Sequence, residues 1–253
     1  MIHTKQEWKI GDCVELMQEL DDEYIDLIVA DLSYNLDKQG KVNLCKGGKL
    51  EPVDFNFKNF NIEAISIFSR KLKPNGSMVI FFDNKMVTEI WRTMEKYNIK
   101  PKQMIYWYKG TKGINPRKNF NSTIETAVWG VKGKDYTWNG GGTTPNCFIE
   151  KWHELNYPPN NFHPTQKPVA IIKWIIELLS NEGDMVCDPY LGSGTTLKAC
   201  RNTNRNCIGF EIDPQWEHLY PDRCMAHTPP LTGYFGDGDH APTDNIETTR
   251  KRI

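Results

Sequence analysis

Short β-branched runs alternate along the chain with stretches whose apolar residues recur every three or four positions. Residues 24–30 (YIDLIVA) predict a strand that stops abruptly at Asp31-Leu32-Ser33-Tyr34. Trp8 to Asp12 reads as a strand end and turn, after which Val14, Met17 and Leu20 follow at helical spacing. Ile62, Ile65, Phe68 and Leu72 mark a helix over about 62–72. Pro74-Asn75-Gly76 then makes a turn, and 78–82 (MVIFF) a strand. A helix is expected over 84–97, aromatic strands over 103–108 and 123–131, and an apolar helix over 168–180 carrying Ile171, Ile172, Ile175, Leu178 and Leu179. The last regular unit is a strand at 184–188, a helix at 195–203 and a strand at 206–211. Strands alternating with helices predict an α/β fold with a mostly parallel sheet.

Two stretches break this rhythm. Residues 35–60 are rich in Lys, Asn and Gly without a sustained period and read as a long mobile loop. Residues 134–162 are rich in Gly, Asn and Pro. Loops of such length in compact domains tend to be functional. Beyond about residue 220 periodicity is lost, so 1–220 is expected to be one domain and 221–253 an irregular tail.

Composition narrows the function classes. The 253 residues carry 31 Lys+Arg against 32 Asp+Glu, so total charge argues neither for nor against a nucleic-acid partner. No run of about 18 apolar residues is present, which excludes a helical membrane span as an expectation. The first residues lack the basic-then-apolar profile of a signal peptide. Seven scattered cysteines contain no C-x-x-C pair, which argues against a zinc knuckle or a disulfide framework and for a reduced, cytoplasmic setting.

Three constellations carry chemistry. In 188–196 (DPYLGSGTT) a strand ends in Asp188 and is followed by Gly192-Ser193-Gly194 at a helix start, which lets a ligand approach the backbone closely. Glu211 lies 19 residues beyond Gly192, the spacing at which an acid can accept both hydroxyls of a ribose. No G-K-[ST] follows, which excludes the nucleotide triphosphate loop, and Leu197 stands where a dinucleotide fingerprint needs its third glycine. The second constellation is Asp31-Leu32-Ser33-Tyr34. A carboxylate and a backbone carbonyl can accept both protons of an exocyclic amine, while the ring stacks on the base that bears it. The third is 163–168 (HPTQKP), where two prolines stiffen a segment offering a hydroxyl and a cation to a ligand carboxylate.

In this order, Asp-x-x-Tyr, a variable region, HPTQKP, DPYLGSGTT and FEID, the motifs resemble the beta class of S-adenosylmethionine-dependent DNA amino methyltransferases over roughly residues 8–220. The resemblance implies a Rossmann-like methyltransferase fold with a circularly permuted motif order. It implies that Asp188, Tyr190, Gly192, Ser193, Gly194 and Thr195 line the methyl-donor pocket and that Glu211 holds the ribose. His163, Thr165 and Lys167 would close over the methionine end, with Asp12 and Cys13 near the donor adenine. Asp31 and the Leu32 carbonyl would hold the target amine, and Tyr34 would stack on a base flipped from double-stranded DNA. Positioning supplies much of such catalysis, so no metal is expected. Asp at position 31 favours N6 of adenine, with N4 of cytosine as the alternative. The usual second proline of the tetrapeptide is Ser33 here, which leaves open an impaired relative that only binds DNA or donor.

The family resemblance redirects attention to charge distribution. Between 96 and 134 lie nine lysines and arginines, with Tyr106, Trp107, Tyr108, Phe120 and Trp129 interleaved and Glu125 as the lone acid. Such a segment can neutralise phosphates and offer stacking surfaces. Target recognition is expected over about 134–162, with the 35–60 loop covering the flipped base. The chain is also compatible with a homodimer.

Overall fold

The structure, a computed structural model, describes residues 4–32, 41–46, 49–54, 62–110, 120, 122–150 and 166–224. Its centre is an eight-stranded sheet. In chain order the strands are β1 (Gln6–Ile10), β2 (Ile25–Asp31), β5 (Leu72–Phe82), β6 (Lys100–Tyr108), β7 (Ile124–Val131), β8 (Cys147–Ile149), β9 (Met185–Asp188) and β10 (Asn206–Glu211). Strands β3 (Lys41–Lys46) and β4 (Lys49–Asp54) form a separate pair. The large sheet runs β1-β10-β9-β2-β5-β7-β6-β8. The first five are mutually parallel, and β7 is antiparallel to both its neighbours. The α/β expectation, with its mostly parallel sheet, therefore holds.

Helices cover both faces because the β strands are apolar on both sides, as parallel strands between two helical layers must be. On one face α2 (Ala64–Lys71), α3 (Val87–Lys96) and the first turn of α1 (Cys13–Leu16) bury Ile65, Phe68, Ile90, Met94 and Cys13 against Ile28, Ile80, Phe82 and Val128. On the other, α4 (Val169–Leu179) and α5 (Thr195–Asn202) bury Ile171, Ile175, Leu197 and Cys200 against Leu27, Val79, Phe81, Trp107 and Trp129. Among the described residues no helix is long and apolar enough to cross a membrane.

Three expectations need correcting. The 35–60 stretch contains the antiparallel β3–β4 pair, with Val42 opposite Val53 and Cys45 opposite Leu50. Gly47-Gly48 between the strands is the two-residue hairpin signal, and the surrounding lysines and asparagines hid it. The turn at Pro74-Asn75-Gly76 is an excursion within β5 rather than a break before it. Ile25 pairs with Leu72 and Leu27 already with Ser77, so the intervening residues bulge out. Asn75 adopts φ +68°, and its side-chain oxygen accepts from the Lys134 and Asp135 amides at 3.1 Å. Regular structure also passes residue 220. A 3-10 turn at Pro214–Leu219 leads into α6 (Tyr220–Cys224), too short to show a period in sequence. The remainder of the expected tail, 225–253, lies outside the described residues.

The basic middle is less available than its sequence implies. Lys96 pairs with Glu63, Lys109 with Glu125, and Lys132 donates to the carbonyls of Ser69 and Leu72 at 3.0 and 2.7 Å. Trp107 and Trp129 belong to the core, whereas Phe120 and Tyr108 are exposed. In the expected recognition region, Trp138 stacks on Trp129 and Asn139 donates to the carbonyls of Glu177 and Ser180, so its first part is fastened onto α4. Residues 151–162 of that region are outside the described residues.

Candidate active site

Four neighbouring parallel strands each end in an acid. Asp12 follows β1, Glu211 closes β10, Asp188 closes β9 and Asp31 closes β2. The sheet order changes direction here: the chain passes from β9 outward to β10, while β2 leads the other way to β5. Ligands of open α/β sheets bind in the crevice outside the carboxyl ends of strands at such a point.

The loop from Asp188 to Thr195 is shaped by hydrogen bonds to these acids. Asp188 accepts from the Tyr190 amide at 2.9 Å and from the Thr196 hydroxyl at 2.5 Å. Burial, with Asp31 and Glu211 nearby, lifts its carboxyl to about 7. Glu211 accepts from the Gly192 amide at 2.7 Å and from the Asp213 amide at 2.8 Å, and burial raises it as well. Gly192 and Gly194 have φ of +48° and +73°, the left-handed region that glycine occupies without strain. A Cβ on Gly194 would lie 2.9 Å from the Tyr220 ring. Ser193 and Thr195 are buried. Their hydroxyls bond each other at 2.9 Å, and Thr195 donates to the Lys167 carbonyl at 3.2 Å.

Helix α6 supports this loop from behind. The Tyr220 hydroxyl donates to the Gly192 carbonyl at 3.0 Å, and Arg223 donates to the Ser193 carbonyl and to the Gln166 side chain, each at 3.2 Å. Arg223 thereby joins the glycine loop to the HPTQKP segment. Sequence reasoning missed both residues because nothing in a five-residue helix distinguishes them from a tail.

On the β1 side, Asp12 caps α1 by accepting from the Val14 amide at 2.9 Å. Cys13 is buried, bonded to the Tyr190 hydroxyl, and held at about 11, so it stays a neutral thiol. The Tyr190 ring also meets Phe68 edge-on at 6.2 Å.

Asp31 sits at the other end of the crevice. Its Oδ2 is 2.7 Å from the Lys167 ammonium, while Oδ1 is buried with no hydrogen-bond partner among the described residues. Lys167 is 5% exposed and also lies 3.0 Å from Glu125 Oε2 and 4.7 Å from the Phe81 ring centroid. Glu125 Oε1 is 3.0 Å from Lys109. Burial pushes Asp31 upward and Lys167 opposes it. Partial burial would raise Glu125 too, but Lys167 and Lys109 outweigh that and bring it down to about 2.

Of the residues singled out in sequence, Asp12, Cys13, Asp31, Lys167, Asp188, Tyr190, Gly192 to Thr195 and Glu211 thus come to one edge of the sheet. Lys167 meets Asp31 and Glu125 there. The Leu32 amide continues the ladder by donating to the Phe81 carbonyl at 3.1 Å. Ser33, Tyr34, His163 and Thr165 lie outside the described residues. Glu125 had a readable signal: it shares a strand face with Ala127, Trp129 and Val131, and an acid on a buried face needs a partner.

The crevice suits S-adenosylmethionine. A ligand rich in hydroxyl and amine donors requires acceptors, for which the carboxylates of Asp12, Asp188 and Glu211 would serve, and a close approach to the backbone, which Gly192 and Gly194 would allow.

Known proteins bear on this arrangement directly. The DNA methylase family model for N6 and N4 methyltransferases matches residues 25–220. The type II methyltransferase M.HpaI of Haemophilus parainfluenzae is 30% identical over 84% of this chain and 72% of its own length. The DNA adenine methyltransferase YhdJ of Escherichia coli K12 is 29% identical over 81% of this chain and 78% of its own. The crystal structure of the M1.HpyAVI–SAM complex superposes with a TM-score of 0.67 at 28% identity, covering 86% of this chain and 99% of that one. With the strand-end acids, the glycine loop and the family match over 25–220 in agreement, this chain belongs to the N6/N4 DNA methylase family of S-adenosylmethionine-dependent methyltransferases.

Proposed function

We propose that the chain methylates the N6 amine of adenine within a specific sequence of double-stranded DNA, after the base has left the helix. The observation that carries this reading is Asp31: a strand-end carboxylate with one oxygen on Lys167 and the other without a hydrogen-bond partner among the described residues, beside the glycine loop. An exocyclic amine is a poor nucleophile because its lone pair is conjugated with the ring. Asp31, with the Leu32 carbonyl next to it, accepts the amine protons and favours a pyramidal nitrogen whose lone pair can form the new N–C bond. When bound, the donor supplies a methyl carbon on a sulfonium, and the C–S electron pair departs with the sulfur as a thioether. The surplus proton on nitrogen passes to Asp31, whose raised proton affinity suits it to receive one. Tyr34 stacks on the flipped base, which offsets part of the few kcal/mol that flipping costs.

In this reading Glu211 and Asp12 hold donor hydroxyls and amines, Asp188 and Tyr190 to Thr195 form the wall of its pocket, and His163 and Thr165 close over it. Adenine is favoured by Asp31 and by the name of the Escherichia coli relative, a DNA adenine methyltransferase. The setting is the cytoplasm of a bacterium, in keeping with the free thiols of the described cysteines and the bacterial relatives.

The test is methyl transfer from labelled S-adenosylmethionine to unmethylated genomic DNA, followed by nucleoside analysis. N6-methyl-2′-deoxyadenosine is expected. N4-methylcytosine would overturn the adenine assignment, and donor binding without transfer would overturn the enzymatic one.

A further inference from the structure

A half-buried acid outside the known motifs stands one lysine away from Asp31. Glu125 projects from β7 on the face that also carries Ala127 and Trp129, and Ala127 pairs with Phe81, which in turn pairs with Asp31. Across that row, Lys167 contacts Asp31 Oδ2 at 2.7 Å and Glu125 Oε2 at 3.0 Å. Lys109, from the neighbouring β6, contacts the other Glu125 oxygen at 3.0 Å. The four side chains form one continuous line of alternating sign: Asp31, Lys167, Glu125, Lys109. We infer that Glu125 is a positioning residue for methyl transfer: by sharing Lys167 it holds that ammonium to one oxygen of Asp31 and leaves the carboxylate able to accept the target amine. The inference rests on the reaction proposed above and adds a residue to it.

The physical argument concerns the division of one cation between two carboxylates. Lys167 is almost wholly shielded from water, so its ammonium must find protein acceptors. With Asp31 as the sole acid in reach, Lys167 would move fully onto it, compete with the incoming amine and weaken Asp31 as a proton acceptor. Glu125 draws the ammonium sideways. Lys109 in turn prevents Glu125 from adding an uncompensated negative charge. The groups facing Asp31 are therefore Lys167 from the segment before α4, Glu125 from β7 and Asp188 from β9, with Lys109 behind Glu125.

This arrangement makes opposite predictions for the two ends of the line. Glu125→Gln frees Lys167 for Asp31, so Asp31 titrates lower, by about one pH unit for a charge at this range. Lys109→Met leaves Glu125 uncompensated and pulls Lys167 away, so Asp31 titrates higher. Lys109 is partly exposed, so Lys109→Met should fold even where Glu125→Gln does not. The measurement is a carboxyl carbon NMR titration of donor-free protein labelled at aspartate, with the Asp31 signal identified by its loss in Asp31→Asn. It is paired with the pH profile of single-turnover methyl transfer. A downward shift in Glu125→Gln and an upward one in Lys109→Met, mirrored in the acid limb of the rate, support the inference. No shift, or shifts in the same direction, overturn it. Because the titration uses neither donor nor DNA, it is independent of the proposed reaction, which wild-type transfer alone decides.

Discussion

The Gly192 amide donates to Glu211 Oε2 at 2.7 Å, joining two residues 19 positions apart in sequence. The spacing between them is the one the proposed ribose contact of Glu211 rests on, and the hydrogen bond gives the residue a task within the protein itself. Glu211 fixes the glycine loop through Gly192 and the following turn through Asp213, so it shapes the pocket before any donor arrives. Hydrogen bonds to a charged acceptor contribute about 1.5–3 kcal/mol each. Glu211→Gln should therefore weaken donor binding by roughly 10–100-fold, since 1.4 kcal/mol is a factor of ten. Calorimetry with S-adenosylmethionine measures it, and an unchanged Kd would remove Glu211 from the donor site.

The role proposed for Asp31 separates chemistry from donor binding. Asp31→Ala should reduce methyl transfer by at least about 100-fold, the lower range for loss of a general base. Donor affinity should stay nearly intact, because the donor loop hangs from Asp188 and Glu211 instead. Rates from labelled donor together with calorimetric Kd values check both halves. A variant that no longer binds the donor would contradict the role assigned to Asp31.

Helix α6 predicts a functional boundary beyond residue 220. Arg223 bonds the Ser193 carbonyl and the Gln166 side chain at once, which a lysine cannot reproduce with the same geometry. Arg223→Ala and Arg223→Lys should each raise the donor Kd about tenfold, on the scale of one charged hydrogen bond. Gly194→Ala should be the more disruptive change, since it combines φ +73° with a Cβ 2.9 Å from the Tyr220 ring. Thermal unfolding should show a loss of several degrees for Gly194→Ala and a small one for Arg223→Lys. The reverse order would place the importance of α6 elsewhere.

Asp188 sets a pH dependence of stability. Its carboxyl rises from 3.8 to about 7 through burial, so the native chain binds this proton more tightly than the unfolded chain does. Its contribution to stability is complete below about pH 4 and is lost as pH rises towards about 7. Glu125 has the opposite sign: lowered from 4.5 to about 2, it contributes above about pH 4.5 and is lost as pH falls towards 2. Asp188→Asn keeps the shape and removes the charge. Its Tm should exceed that of the donor-free wild type by about 4 °C or more at pH 8 and converge with it near pH 4. Parallel curves across this range would show that Asp188 is not the titrating group.

Much of this protein is determined by its sequence. The alternation of β-branched runs with helical spacing specifies the α/β architecture, because burial on both faces of a parallel sheet demands that pattern. Asp31, Asp188, Gly192 and Glu211 are recognisable because strand ends and glycine turns leave local signatures. The tertiary structure alone decided which distant charges meet. Lys167 belongs by motif with the donor loop, yet its ammonium reaches Asp31 and Glu125, because β2, β5 and β7 are neighbours in the sheet while distant in the chain. The supports of the glycine loop, Tyr220 and Arg223, come from a helix too short to carry a period. Lysines that look available for phosphate are taken up by acids and carbonyls from other elements. Periodicity records which face of an element is buried; it carries no record of which other element covers it, and the pairing of charges across the sheet depends on that.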